Sequence, residues 1–312
     1  MTTTMRAGLA VVLGIVIVLP AVVPTFYVQL TTEIFVMAIF SVATNLLFGY
    51  SGMISFGQAA YYGIGAYTLA LLVMKLGVPF AVGFVAAPFV AALFAAAVGF
   101  FCVRLTIIYF AMLTLGFAQL LYSIVFQWVT VTGGDDGLHG VPIPALFHGA
   151  NAYYYFTLAV TLGALLVMWR VVHSPFGYAL RAIRDNRERA EFNGLDVRRY
   201  QLIAFTIAGF FCGLAGALFV PVNKAVFPNL LFWSKSAEPL FAILLGGIHQ
   251  FLGPAVGAAI FILLEQSTSK FWYLLGVKSV YWPIVMGSVI VILIFTLPRG
   301  VAGSLIRPRP AR

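Results

Sequence analysis

Charge is what this sequence has least of. Only 9% of its 312 residues are Asp, Glu, Lys or Arg, and nine of them are acids. A soluble domain carries roughly 25% charged residues, so this chain cannot clothe a surface that faces water. Cysteine is nearly as scarce. Cys102 and Cys212 both sit inside apolar runs, which points to neither a disulfide framework nor a metal site. Catalytic signatures are missing as well. The histidines (His139, His148, His173 and His249) are scattered, with no H-E-x-x-H and no G-x-S-x-G nucleophile elbow. There is no G-x-x-x-x-G-K-[ST] loop, so the chain cannot itself hold ATP in a P-loop. No catalytic, cofactor-binding or metal-ligating residue is expected, and a membrane enzyme finds no support.

Hydrocarbon is abundant instead: 62% of residues are hydrophobic and mean hydropathy is +1.03. A membrane-spanning helix needs about 20 predominantly apolar residues. The sequence shows ten candidate apolar runs, at about 7–24, 33–49, 57–74, 79–103, 105–128, 152–172, 201–222, 238–250, 252–270 and 281–298. The alternation of a membrane β-barrel is absent. The expected fold is therefore an all-α polytopic membrane protein of about ten transmembrane helices, one transmembrane domain over 1–312. Ala7 to Pro24 lacks a small-x-small cleavage site, so it reads as an uncleaved first helix. The eighth run is too short to cross unaided and reads as a broken or re-entrant element.

Net charge is +9, which in a soluble chain would raise the question of nucleic acid. The positive-inside bias explains it better. With the N-terminus inside, all 13 arginines fall on cytoplasmic segments and all five lysines on outer ones. Both termini are then cytoplasmic, provided that the eighth run crosses. Acids are sparse near the spans: Glu33 and Glu238 sit at outer ends, where solvation explains them, and Glu265 lies deeper. A bond from Glu265 to a neighbouring helix is the favoured reading. If that acid were essential to transport, the chain would instead be an ion-coupled secondary transporter or channel working without an ATPase.

Three segments stand out. "GYSGMISFGQ", Gly49 to Gln58, is a glycine-rich polar break between two apolar runs. Irregular backbone survives at membrane depth only inside protein or along a wet cavity. The stretch is thus either a short cytoplasmic turn or a break that presents Ser51, Ser55 and Gln58, next to Asn45, to a translocation route. "LLGGIHQFLGPAVGAAIF", Leu244 to Phe261, echoes it with Gln250, and paired broken helices mark a transporter's pathway. The third segment, His173 to Tyr200, combines length, mixed charge and membrane flanks. It reads as a helix with a stop, closed by Gly194, and as a dock for a cytoplasmic partner, with lipid headgroups the competing ligand. Glycines at 209, 213 and 216 share a helix face, and Gly253 and Gly257 form a small-xxx-small pair; both read as packing.

Four blocks resemble a known family. "NLLFGYSGMISFGQAAYYGIGAYTLALL", "TGGDDGLHGVPIP", "ALRAIRDNRERAEFNGLDVRRYQLIAFTIAGFFCGLAGALF" and "SAEPLFAILLGGIHQFLGPAVGA" are similar, in order, to blocks of the membrane permeases of bacterial branched-chain amino acid type ABC importers. The match is to the longer of the two paired permeases. Departures include Met53, where glutamine is common, and His249 and Gln250, where small residues are usual. The resemblance implies a type II ABC importer-like permease of the bacterial inner membrane. Its partners would be a second homologous permease, two cytoplasmic ABC ATPases that bind the ATP, and a periplasmic or extracellular solute-binding protein. It makes Arg181, Arg184, Arg187, Ala190, Glu191 and Gly194 the coupling loop to the ATPases. Gly133, Gly134, Asp135 and Asp136 become the outer loop to the binding protein. Branched-chain amino acids are the implied substrate, with urea, short amides and organic acids as relatives.

Overall fold

Proline and glycine set most of the helix boundaries. Pro24 and Pro79 sit in extended backbone immediately before two helices, and Pro175 opens a third at its first turn, where a missing N–H leaves nothing unpaired. The computed structural model describes residues 14, 16–105, 107–147, 149–274, 287–288, 291–292, 295–296 and 300–305. Most of the predicted 281–298 run and the first part of 7–24 lie outside these residues. So do Arg6, His148, Lys278, Arg299, Arg307, Arg309 and Arg312.

In chain order the helices are α1 (Thr25–Asn45), α2 (Gln58–Met74), α3 (Phe80–Cys102), α4 (Ile107–Gln127) and α5 (Ala150–Val172). Then follow α6 (Pro175–Asp185), α7 (Arg187–Phe192), α8 (Val197–Asn223), α9 (Ala237–Gly246), α10 (Gly253–Leu274) and α11 (Gly300–Leu305). A two-residue antiparallel ribbon pairs β1 (Leu138–His139) with β2 (Ala225–Val226), with Leu138 opposite Val226. By length and composition, five segments of the described residues are apolar enough to cross a membrane: Thr25–Ser51, Phe80–Cys102, Ile108–Gln127, Ala150–Val172 and Val197–Asn223. The ten residues of α9 reach only about 15 Å at 1.5 Å per residue, half of a bilayer core.

The packing is that of a membrane bundle. Phe89, Leu93, Ile108 and Met112 are 61–69% exposed on α3 and α4, a face that suits hydrocarbon. Glycines let the inner helices touch. Gly209 and Gly213 of α8 lie on Ala95 and Ala91 of α3, while Gly216 lies on the Tyr62 carbonyl of α2. Gly253 and Gly257 bring α10 onto α9 at Gly246, Gly247 and Ala242. These small-residue sites pack as their spacing predicts.

The charged segment forms two helices rather than one. Asn186, in extended backbone, ends α6 and caps α7 by accepting from the Arg189 N–H at 2.8 Å. Ser174 and Asp196 cap α6 and α8 in the same way, and Gly194 takes the expected left-handed turn at φ +82°. Leu180 and Ile183 face inward along α6, which leaves its arginines at the margin.

Candidate functional site

The GYSGMISFGQ segment is neither continuous α-helix nor surface turn. After α1 the chain passes through a π-helical turn, Leu46–Ser51, then unwinds until Gln58 begins α2. π-turns within helices concentrate at functional positions. Gly52 has φ +72°, and the Met53 N–H returns to the Leu47 carbonyl at 2.9 Å. Seven of the ten residues are buried and none is exposed. Ser55 and Gln58 find their partners inside the protein, whereas Ser51 Oγ does not. Ser55 Oγ accepts from the Gly57 N–H and from Gln58 Nε2, each at 3.2 Å. Gln58 Oε1 accepts from the Cys212 thiol at 3.3 Å, and the Ala59 N–H donates to Ser236 Oγ at 2.9 Å.

The echoing segment does meet the first one. Gly247 to Leu252 separates α9 from α10, and Asn45 Nδ2 donates to the Ile248 carbonyl at 3.2 Å. Gly49 faces the same carbonyl so closely that a Cβ would overlap it at 2.8 Å. Gly300, at the start of α11, packs on Gly246 and Gly247. Two breaks, far apart in sequence, thus lie back to back.

The charged helix joins them. Arg184 Nη1 donates to the Gly49 carbonyl at 2.6 Å, while its Nε and Nη2 grip Asp185 Oδ1 at 3.0 and 2.8 Å. Arg181 donates to the Val172 carbonyl at 3.0 Å and lies over the rings of Tyr50 and Tyr178. A cavity of about 310 Å³ opens where these parts meet, walled by Tyr50, Arg181, Arg184, His173, His249 and Phe251. Beside it a second, of about 270 Å³, is lined by Ser51, Gly52, Arg184, Arg187 and Gln201.

The residues singled out from sequence therefore divide. Asn45, Ser51 and the Gln250 segment gather at the junction, with Asn45 Oδ1 and Ser51 Oγ buried and unpaired. Ser55 and Gln58 turn away into a closed network on α8. Arg187 pairs with Glu191 at 3.1 Å on α7, Ala190 is buried beneath them, and Phe192 is 91% exposed beside them. In the loop between α4 and α5, Gly133 and Gly134 adopt positive φ, and Asp135 and Asp136 project into the open. That loop is tied down where the Gly140 N–H meets the Lys224 carbonyl at 2.9 Å.

One grouping escaped the sequence reading. Glu33 and Glu238, treated there as separate helix-end acids, and the deeper Glu265 line a single cavity of about 240 Å³ at the end of the bundle remote from α6. Lys235 shares it and pairs with Glu238 at 2.6 Å. Their common signal, an acid in each of three apolar segments, gave no clue that the helices converge.

The profile of the family described as "Branched-chain amino acid transport system / permease component" matches residues 26–294. The chain belongs to that family. It is 27% identical to the high-affinity branched-chain amino acid transport system permease protein LivM of Escherichia coli, over 96% of this chain and 75% of that protein. It is 24% identical to the probable LivM of Methanocaldococcus jannaschii, over 73% of this chain and 76% of that one. The ribose import permease RbsC of Bacillus subtilis is 30% identical over 49% of this chain and 44% of its own length. As a member of this permease family the chain is a multi-pass membrane transport component, and the two breaks and α6 lie within the matched region.

Proposed function

We propose that the chain is one transmembrane half of an ATP-driven importer for branched-chain amino acids. Two cytoplasmic ATPases would hold the nucleotide, a second permease of similar size would complete the pathway, and a solute-binding protein would deliver substrate to the loop around Asp135 and Asp136. About ten helices would cross the inner membrane with both termini cytoplasmic, as the arginine distribution favours.

The observation that carries this reading is the Arg184–Gly49 hydrogen bond, which ties α6 directly to the break between α1 and α2. In this scheme the segment from Arg181 to Gly194 rests on an ATPase. Closure of the ATPases on ATP displaces α6, and the displacement reaches Gly49 and, through Asn45, the Ile248 turn. Both breaks then shift together, which biases the pathway between two arrangements. Lining of the route falls to Asn45, Ser51 and the Gln250 turn, while Ser55 and Gln58 hold α2 against α8.

The test is a mild-detergent pull-down of the chain from its native membrane. Two ATPases and a second permease in the eluate support the importer. A chain recovered alone, with uptake in vesicles driven by an ion gradient, contradicts it and makes the ion-coupled carrier the better description.

A further inference from the structure

The cavity remote from α6 has a built composition. Glu33 shares one face of α1 with Val36, Met37 and Phe40, and Glu265 shares one face of α10 with Phe261, Ile262 and Gln266. Asn223, at the end of α8, adds a second amide. Lys235 is already neutralised by Glu238, whereas Glu33 and Glu265 have no ion-pair partner among the described residues. The cavity therefore gathers three carboxyl groups against one lysine between apolar helices, where charge interactions are stronger than in water. Ionisable groups retained at membrane depth are functional hypotheses by default.

A second observation points to a ligand. Tyr62 of α2 lines the same cavity and is only 3% exposed, its ring held between Phe40 at 4.8 Å and Phe219 at 5.8 Å. Its hydroxyl makes no hydrogen bond to another described residue, which leaves it available to a ligand in the cavity that it lines.

We infer that this cavity binds the ammonium group of an aliphatic α-amino acid, with Glu33 and Glu265 as its carboxylate partners. Aromatic faces at Phe40, Tyr62 and Phe219 favour a cation, and Val36, Met37 and Ile262 provide a wall for a branched hydrocarbon chain. Asn223, Gln266 and the Tyr62 hydroxyl can donate to the substrate carboxylate. At about 240 Å³ the space suits a small solute. Among the described residues no three His, Cys, Asp or Glu side chains converge closely enough to hold a metal ion, whereas an ammonium group requires no such convergence. The inference rests on the import reading for its substrate, and it narrows that substrate to amines over urea, amides and organic acids.

The test is equilibrium dialysis of the purified complex of permeases and ATPases, without the solute-binding protein, against radiolabelled L-leucine. Isoamylamine keeps the ammonium group and should compete; isocaproate, which lacks it, should not. Glu33→Gln and Glu265→Gln preserve shape, so the complex should assemble and melt as before. Each should weaken leucine binding about tenfold or more, as expected when one partner of a charged hydrogen bond is lost. Wild-type binding in both variants, no leucine binding by the unaltered complex, or isocaproate competing as well as leucine would overturn the site. If the site is absent while ATP-driven uptake continues, the importer stands without it. If leucine binds as described but uptake needs no ATP, the site stands and the import reading falls.

Discussion

A methyl group on Gly216 would meet the carbonyl of Tyr62, and one on Gly65 would meet the backbone of Gly213. Backbone cannot swing aside as a side chain does, so these contacts resist even alanine. Overpacking typically costs about 1–3 kcal/mol, and Gly216→Ala is expected at or above the upper end. Gly163 on α5 has nothing within 4 Å of an added Cβ. Gly163→Ala should therefore be neutral or stabilising by up to about 1 kcal/mol through helix propensity. Melting both variants in detergent checks the pair: equal midpoints would contradict the packing account. The glycine spacing on α8 was readable as a packing face from sequence alone. Which neighbour each glycine serves was not, because Gly209 and Gly213 face α3 while Gly216 faces α2, and a helix's own sequence carries no record of its partners.

At the scale of elements, α6 and α7 separate a structural face from a free one. Leu180, Ile183 and Ala190 are buried, while Phe192 stands 91% exposed beside the Arg187–Glu191 pair. An exposed ion pair contributes at most about 1 kcal/mol. Glu191→Lys should accordingly leave the melting of the membrane domain unchanged yet lose the ATPases in copurification. Phe192→Ser should weaken the same association without touching the core. Normal copurification and uptake in both would refute the docking assignment. Helix limits here were legible where punctuation is strong: runs expected at 57–74 and 79–103 appear as Gln58–Met74 and Phe80–Cys102. The start of α1 was not, since Glu33 interrupts the hydropathy although the helix begins at Thr25. Asn186 was missed as a boundary because its role, capping α7, needs an extended backbone that only the fold reveals.

For the whole molecule the account requires the two loops to lie on opposite sides of a membrane. Cys102 and Cys212 are fully buried, so a cysteine introduced elsewhere reports without background. Asp135→Cys should react with an impermeant maleimide on intact spheroplasts, and Arg189→Cys only after lysis. Labelling of both from one side would contradict the arrangement. The sequence showed two glycine-rich breaks and a charged loop; their junction emerges only in three dimensions, through Asn45 with Ile248 and Arg184 with Gly49.

That junction is the central claim, and it is tested most directly by ATP-driven uptake and ATP hydrolysis measured together on a reconstituted Arg184→Ala complex. A hydrogen bond to a charged group contributes about 1.5–3 kcal/mol, equivalent to tenfold or more in an equilibrium. Uptake should fall about tenfold or more while the ATPases remain bound and hydrolysis stays within about twofold of wild type. Uptake that keeps pace with hydrolysis would show that α6 does not drive the break through Arg184.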